Sequence, residues 1–189
     1  MSELKVNKIS PRSGTDITLG DSGDTISRGS GVVSRLGVFE SQLIHVQDQK
    51  ASGTSGGNSV VGYQFRDLNT IVTNEITGAS LSSNAITLPA GTYYIEASAP
   101  AYRLNQSRIS LYNNTTSNTI LLGKSGYSAN TDQGHIVTDM KGRFTLASTA
   151  DVKIRQYVTT DGLQSSDLGV AIADGSINIY TEVLIWRIA

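Results

Sequence analysis

Apolar side chains that recur at every second position, not every third or fourth, limit most tightly what this chain can fold into. In Thr92-Tyr93-Tyr94-Ile95-Glu96-Ala97-Ser98-Ala99, residues Tyr93, Ile95, Ala97 and Ala99 fall on one side. In residues 135–148, Ile136, Met140, Phe144 and Leu146 share one side, and Val137, Asp139, Lys141, Arg143 and Thr145 the other. Residues 151–158 set Val152, Ile154 and Val158 against Lys153, Arg155 and Tyr157. A two-residue period is that of a half-buried strand. The predicted core therefore holds Ile95, Ile136, Met140, Phe144, Leu146, Val152 and Ile154. Residues 176–188 are apolar on both sides: Ile177, Ile179, Val183 and Ile185 against Tyr180, Leu184, Trp186 and Ile188. Such a run fits a central strand or one covered by a partner.

Turn residues break these runs at short intervals. Leu88-Pro89-Ala90-Gly91 suits a type I turn, and Asn113-Asn114, Asp161-Gly162 and Asp174-Gly175 suit tight turns. Many short strands with such punctuation indicate a sandwich or barrel. One stretch, Val32–Leu43, has a helix-like pattern, and Gly37 inside it weakens the helix. From about Gln42 onward the chain reads as one all-β domain, long enough to build its own core.

Composition excludes several function classes. Fifteen basic and 16 acidic residues give a formal net charge of −1, which draws the chain toward neither nucleic acid nor an anionic membrane. With no cysteine there is no disulfide, thiolate chemistry or Cys-type zinc site. Met1–Val6 has no apolar core of a secretory signal, and no apolar run is long enough to span a membrane as a helix. The Asn-x-Ser/Thr matches at Asn105, Asn113 and Asn114 read as turn residues.

The chemistry-bearing patterns are weak. His45 and His135 are the only histidines, and nothing in the sequence joins them; His45 reads as a hydrogen-bonded strand residue. No Gly-x-Ser-x-Gly elbow is present. Gly123-Lys124-Ser125 imitates the end of a phosphate-binding loop, but Asn118 stands where the motif needs its first glycine, so a strand end and loop is expected. Residues 51–57 read as a flexible glycine-rich loop between strands. The aspartates Asp16, Asp21, Asp24, Asp132 and Asp139 do not fit a calcium-loop spacing. No paired carboxylates suggest a depolymerase. No catalytic, cofactor or metal site is expected, and no enzymatic activity.

Residues 1–41 differ in texture: Phe39 is their one aromatic, and Gly, Ser, Thr and Asp dominate. Ser13-Gly14-Thr15-Asp16-Ile17-Thr18-Leu19-Gly20 recurs nine residues later as Ser22-Gly23-Asp24-Thr25-Ile26-Ser27-Arg28-Gly29. One apolar residue per unit builds no core in a single chain. Three chains winding together would bring the isoleucines to a shared axis; a disordered tail is the other reading.

The order of Arg66-Asp67-Leu68-Asn69-Thr70, Ile76-Thr77-Gly78-Ala79-Ser80-Leu81, Ile86–Tyr93, Ala97–Arg103, Gly142-Arg143-Phe144-Thr145-Leu146 and Tyr180–Trp186 resembles a known family. It is similar to the C-terminal domain of bacteriophage tail-fibre and related virion proteins, with the jelly-roll of the tumour necrosis factor superfamily. The arm, from Leu4-Lys5-Val6-Asn7-Lys8-Ile9 through Thr25-Ile26, resembles thin phage-fibre repeats. The resemblance implies a roughly ten-stranded antiparallel jelly-roll sandwich, trimeric, preceded by an extended β-rich N-terminal arm. The expected organisation is an attachment arm over 1–30, a linker over 31–41 and a knob over 42–189. The implied role is a short virion fibre whose knob projects outward and meets a host surface glycan or protein. The alternative is a decoration trimer of capsid, neck or baseplate without a ligand. Expected partners are two further copies of the chain and other virion proteins bound through Ile9, Ile17, Leu19 and Ile26. Tyr157, Tyr180 and Trp186 are expected at the trimer contact, because large amphipathic rings favour interfaces.

Overall fold

The computed structural model describes residues 42–131, 134–160 and 165–188. The arm, its four expected attachment residues, the Asp161-Gly162 turn and most of the helix-like stretch lie outside them; Leu43, the end of that stretch, is in a strand.

Among the described residues twelve strands follow one another: β1 (Gln42–Lys50), β2 (Gly62–Phe65), β3 (Thr70–Asn74), β4 (Ser80–Ser82), β5 (Ala85–Leu88), β6 (Gly91–Tyr102), β7 (Asn105–Asn113), β8 (Asn118–Leu122), β9 (Gly126–Ser128), β10 (His135–Leu146), β11 (Ala150–Val158) and β12 (Asn178–Arg187). They form two antiparallel sheets. The first runs β10-β6-β12-β1-β3. The second runs β4-β5-β11-β7-β8, with β2 also pairing β11 and β9 also pairing β7. The architecture is the expected all-β jelly-roll sandwich.

Each alternating segment supplies one face of the shared core. From the first sheet come Ile44, Val46, Tyr93, Ile95, Met140, Phe144, Leu146, Val183 and Ile185; from the second, Ile86, Leu88, Ile109, Leu111, Val152 and Ile154. Burying each such side chain contributes about 1.5–3 kcal/mol. The Tyr93 and Phe144 rings stack with centroids 5.3 Å apart. Six of the seven predicted core residues are buried; Ile136 is partly buried beside a smaller cluster of Ala101, Leu104, Val158 and Leu168.

The turns fall where their residues place them, with one difference in role. Pro89-Ala90 does not close a hairpin: β5 lies in the second sheet and β6 in the first, so the turn carries the chain across the sandwich. The Tyr93 hydroxyl donates to the Pro89 carbonyl at 2.7 Å and fixes the crossing. Asn113 Oδ1 accepts from the Thr115 and Thr116 amides, both at 3.0 Å, and shapes the β7–β8 hairpin.

Two expectations are corrected. Residues 51–57 are tied down, not loose: Gly53 and Gly56 donate to Ile172 and Gly169, and Leu168 donates back to Gly57. A Cβ at Gly56 would lie 2.4 Å from the Leu168 carbonyl oxygen, so the two backbones meet where only glycine fits. The second correction concerns residues 176–188. Val46 pairs Val183 and Gln47 pairs Glu182, but Gln49 pairs Ile179, so Asp48 alone opposes Tyr180 and Thr181. This is a β-bulge, and it inverts the alternation. Tyr180 and Thr181 are both buried, whereas Ile177 and Ile179 turn outward at 57% and 48% exposure.

Candidate association surfaces

Each sheet has one face in the core and one turned outward, and the two outward faces differ in chemistry. On the first sheet, Ser98, Pro100, His135, Val137, Gly169, Val170, Ile179, Tyr180 and Glu182 line a shallow hollow of about 300 Å³. Val137, Val170 and Ile179 are about half exposed there, and Ile172 and Ile177 are exposed on the segment leading into β12. The bulge put Ile179 on this face. A neighbouring hollow of about 170 Å³ is more charged, lined by Glu96, Asp139, Lys141, Glu182 and Leu184 among others. Lys141 binds Glu96 at 3.1 Å and Lys124 binds Asp139 at 3.0 Å. His45 Nε2 lies 2.9 Å from Glu182 Oε1, which also accepts from Gln47 Nε2 at 2.7 Å. His45 is thus the hydrogen-bonded strand residue expected. Tyr94 and Trp186 lie at the far end, ring centroids 6.2 Å apart.

The outward face of the second sheet is an aromatic and cationic ladder. In β11, Lys153, Arg155 and Tyr157 point away from the core; β2 places Phe65 opposite Arg155 and Tyr63 opposite Tyr157. On the other flank β7 places Tyr112 opposite Lys153 and Arg108 opposite Tyr157. The Arg155 guanidinium is inserted between two rings, 3.8 Å from the Tyr63 centroid and 4.4 Å from that of Tyr112. Its Nη2 donates to Thr119 Oγ1 at 2.7 Å, while its buried Nε has no hydrogen-bond partner. Lys153 Nζ sits 5.0 Å over Phe65, and Tyr63 and Tyr157 meet edge to face at 4.9 Å.

Between the sheets a polar network holds one end of the sandwich. Arg66 is 1% exposed. Its Nε donates to Thr181 Oγ1 (2.9 Å), Nη1 to Gln156 Oε1 (3.2 Å) and Nη2 to the Leu168 carbonyl (2.8 Å). Burial lowers its pKa to about 10, against the opposing pull of Asp48 and Asp67. Asp48, buried in the bulge, has its pKa raised by desolvation, with Lys50 and Arg66 acting the other way. Asp167 is buried nearby and accepts from the Ser59 amide and hydroxyl. These side chains tie β2, β11, β12 and the 165–169 turn together, a structural role.

The three aromatics expected at one contact are dispersed. Tyr180 is buried within the protomer; its ring covers Gly169 and its hydroxyl donates to the Thr54 carbonyl at 2.7 Å. Tyr157 belongs to the outward face of the second sheet and Trp186 to that of the first. No single planar contact takes in all three. Tyr63, Phe65, Arg108 and Tyr112 were missed by the sequence reading. Their signal, outward alternation in short strands, is present in the sequence, but the ladder exists only once β2, β11 and β7 pair.

His45 and His135 stand on β1 and β10, with β12 and β6 between them. Among the described residues, no three His, Asp or Glu side chains gather as metal ligands. Gly123-Lys124-Ser125 is the strand end and loop expected: the Lys124 amide donates to the Asp139 carbonyl at 3.0 Å.

No protein-family model matches the chain, and no curated protein matches it in sequence. Solved structures do. Murine APRIL aligns at 9% identity with a TM-score of 0.50, over 79% of this chain and 100% of its own. The globular domain of zebrafish complement 1qA protein aligns at 13% identity and 0.50, over 79% and 98%. Eiger TNF from S. frugiperda aligns at 10% identity and 0.50, over 79% and 93%. At such identity the likeness is one of fold: the described residues have the jelly-roll fold of the tumour necrosis factor and complement-head structures.

Proposed function

We propose that the chain is a non-enzymatic virion protein of a bacteriophage, a short trimeric fibre whose knob points outward and contacts a host surface. The observation that carries self-association is the apolar half of the first sheet's outward face. Val137, Val170 and Ile179 line one hollow and stay about half exposed in the protomer. Contiguous apolar surface of this kind marks an interaction site. Trp186 and Tyr94 extend the same face; Tyr180 lines the hollow but is itself buried in the protomer, and Tyr157 lies on the other sheet. Three knobs meeting there leave the second sheet's face and the loops free for a ligand.

The sequence supplies the virion half of the reading. The repeats at 13–20 and 22–29 are too poor in apolar residues to fold alone, yet are spaced for shared burial among three chains. Residues 1–30, with Ile9, Ile17, Leu19 and Ile26, are the proposed attachment arm. Three joined arms bind with avidity, so weak single contacts hold firmly. Sedimentation of the full chain tests the trimer, and a monomer at micromolar concentration ends it. Deleting residues 1–30 should leave a folded trimer that no longer joins particles. If the truncated protein still assembles onto virions, the anchor lies in the knob and the decoration reading overtakes the fibre.

A further inference from the structure

We infer that the outward face of the second sheet is a binding site for an acidic polysaccharide, with Tyr63, Tyr157, Arg108, Arg155 and Lys153 as its contact residues. The inference rests on the host-contact reading above and gives that contact a place and a chemistry.

Charge is the first argument. None of the ion pairs among the described residues involves Arg108, Lys153 or Arg155. Asp67, just past β2, is paired with Lys50 at 2.8 Å, and Asp151, two residues before Lys153 on β11, accepts from the Thr87 hydroxyl at 2.7 Å. In a chain of net charge −1, three cations gathered on one face, against the one carboxylate of Asp151 at the edge of that face on β11, leave a local anion-attracting field.

Shape is the second. Tyr63 and Phe65 are 50% and 43% exposed, and Tyr157 is 36% exposed. The rings are held in place: Arg155 is stacked between Tyr63 and Tyr112, and Tyr63 is braced by Tyr157. Holding the half-buried Arg155 between rings, with its buried Nε lacking a partner among the described residues, costs stability that a plain solvated face would not incur. The product is a rigid aromatic surface whose ordering entropy is spent before a ligand arrives.

A pyranose ring offers C–H groups of slight positive charge along one side, complementary to the negative face of a tyrosine ring. Carboxylates on the same sugars then reach Arg108 and Lys153, which flank the rings across the strands. An acidic polypeptide fits less well. Its side chains need a groove, and both hollows described above lie on the opposite sheet.

The test titrates the full-length protein with polygalacturonate, hyaluronate and polysialic acid, with dextran as the neutral glycan and polyglutamate as the acidic polypeptide. At least one acidic glycan should bind, more weakly as salt rises. Arg108→Gln, and separately Tyr63→Ala with Tyr157→Ala, should each weaken it about tenfold, the equivalent of one lost charge or stacking contact. Lys141→Gln on the other sheet should leave it unchanged and controls for folding. No binding to any of the three glycans, equal binding of polyglutamate, or binding that survives both ladder variants overturns the assignment. Sedimentation and virion labelling read the trimer and its location independently, so failure here leaves those proposals standing or falling on their own data.

Discussion

Removing the guanidinium of Arg66 tests the account of the interior most sharply. Burial holds the Arg66 pKa at about 10, well below its ordinary value, and so disfavours the buried cation by roughly 3 kcal/mol. Arg66→Met removes that penalty and keeps most of the volume. It also leaves Thr181 Oγ1, Gln156 Oε1 and the Leu168 carbonyl without their donor, at about 1–3 kcal/mol each where buried. Asp48 meanwhile loses one of its two cationic neighbours. The losses win, and the net destabilisation expected is about 3–5 kcal/mol, as for breaking a buried pair from one side. A pH signature separates this from simple loss of packing. Asp48 already sits above its ordinary 3.8 through burial, and Arg66 pulls it down; without Arg66 it rises further. An acid whose folded pKa exceeds its unfolded value contributes full stability below the unfolded pKa and loses it as pH rises through the folded one. The deficit of Arg66→Met should therefore be smaller near pH 4 than at pH 7. Urea unfolding of both proteins, at matched protomer concentration because association shifts the midpoint, measures it. A deficit below about 1 kcal/mol, or one equal at both pH values, would refute the argument.

Phe144→Ala should cost about 3–5 kcal/mol, since the ring is 5% exposed and stacked on Tyr93; an unchanged denaturation midpoint would mean that β10 faces the other way. Gly169→Ala should destabilise by about 1–3 kcal/mol, because its φ is +144° and the new Cβ would lie 2.1 Å from Tyr180 Cδ1; tyrosine fluorescence of the folded protein should change with it. Ile179→Asp should turn the trimer into monomers in sedimentation while keeping the fold, because the side chain is half exposed in the protomer and apolar in the proposed contact. Tyr157→Asp, on the other sheet, should leave the oligomer intact.

Much of this fold is legible in the order of its residues, and the reason is local. In an extended chain successive side chains alternate sides. The Tyr93–Ala99, Met140–Leu146 and Val152–Val158 patterns therefore fixed which side of each strand meets the core, whatever its partners. Turn chemistry is equally local, and Pro89, Asn113 and Gly175 stand where the chain bends. Strand pairing is not local. The bulge opposite Asp48 arises from the register between β1 and β12, more than a hundred residues apart, and it alone turned Ile179 outward and Tyr180 inward. A residue set that reads as one face in the sequence was thereby split between surface and core. Arg66 looks like any polar strand-end residue until β11, β12 and the 165–169 turn close around it. The ladder on the second sheet is assembled from three segments, around residues 63, 112 and 155, whose contacts exist only across strands. Period and turn chemistry decided the faces; hydrogen-bond register between distant strands decided what each face became.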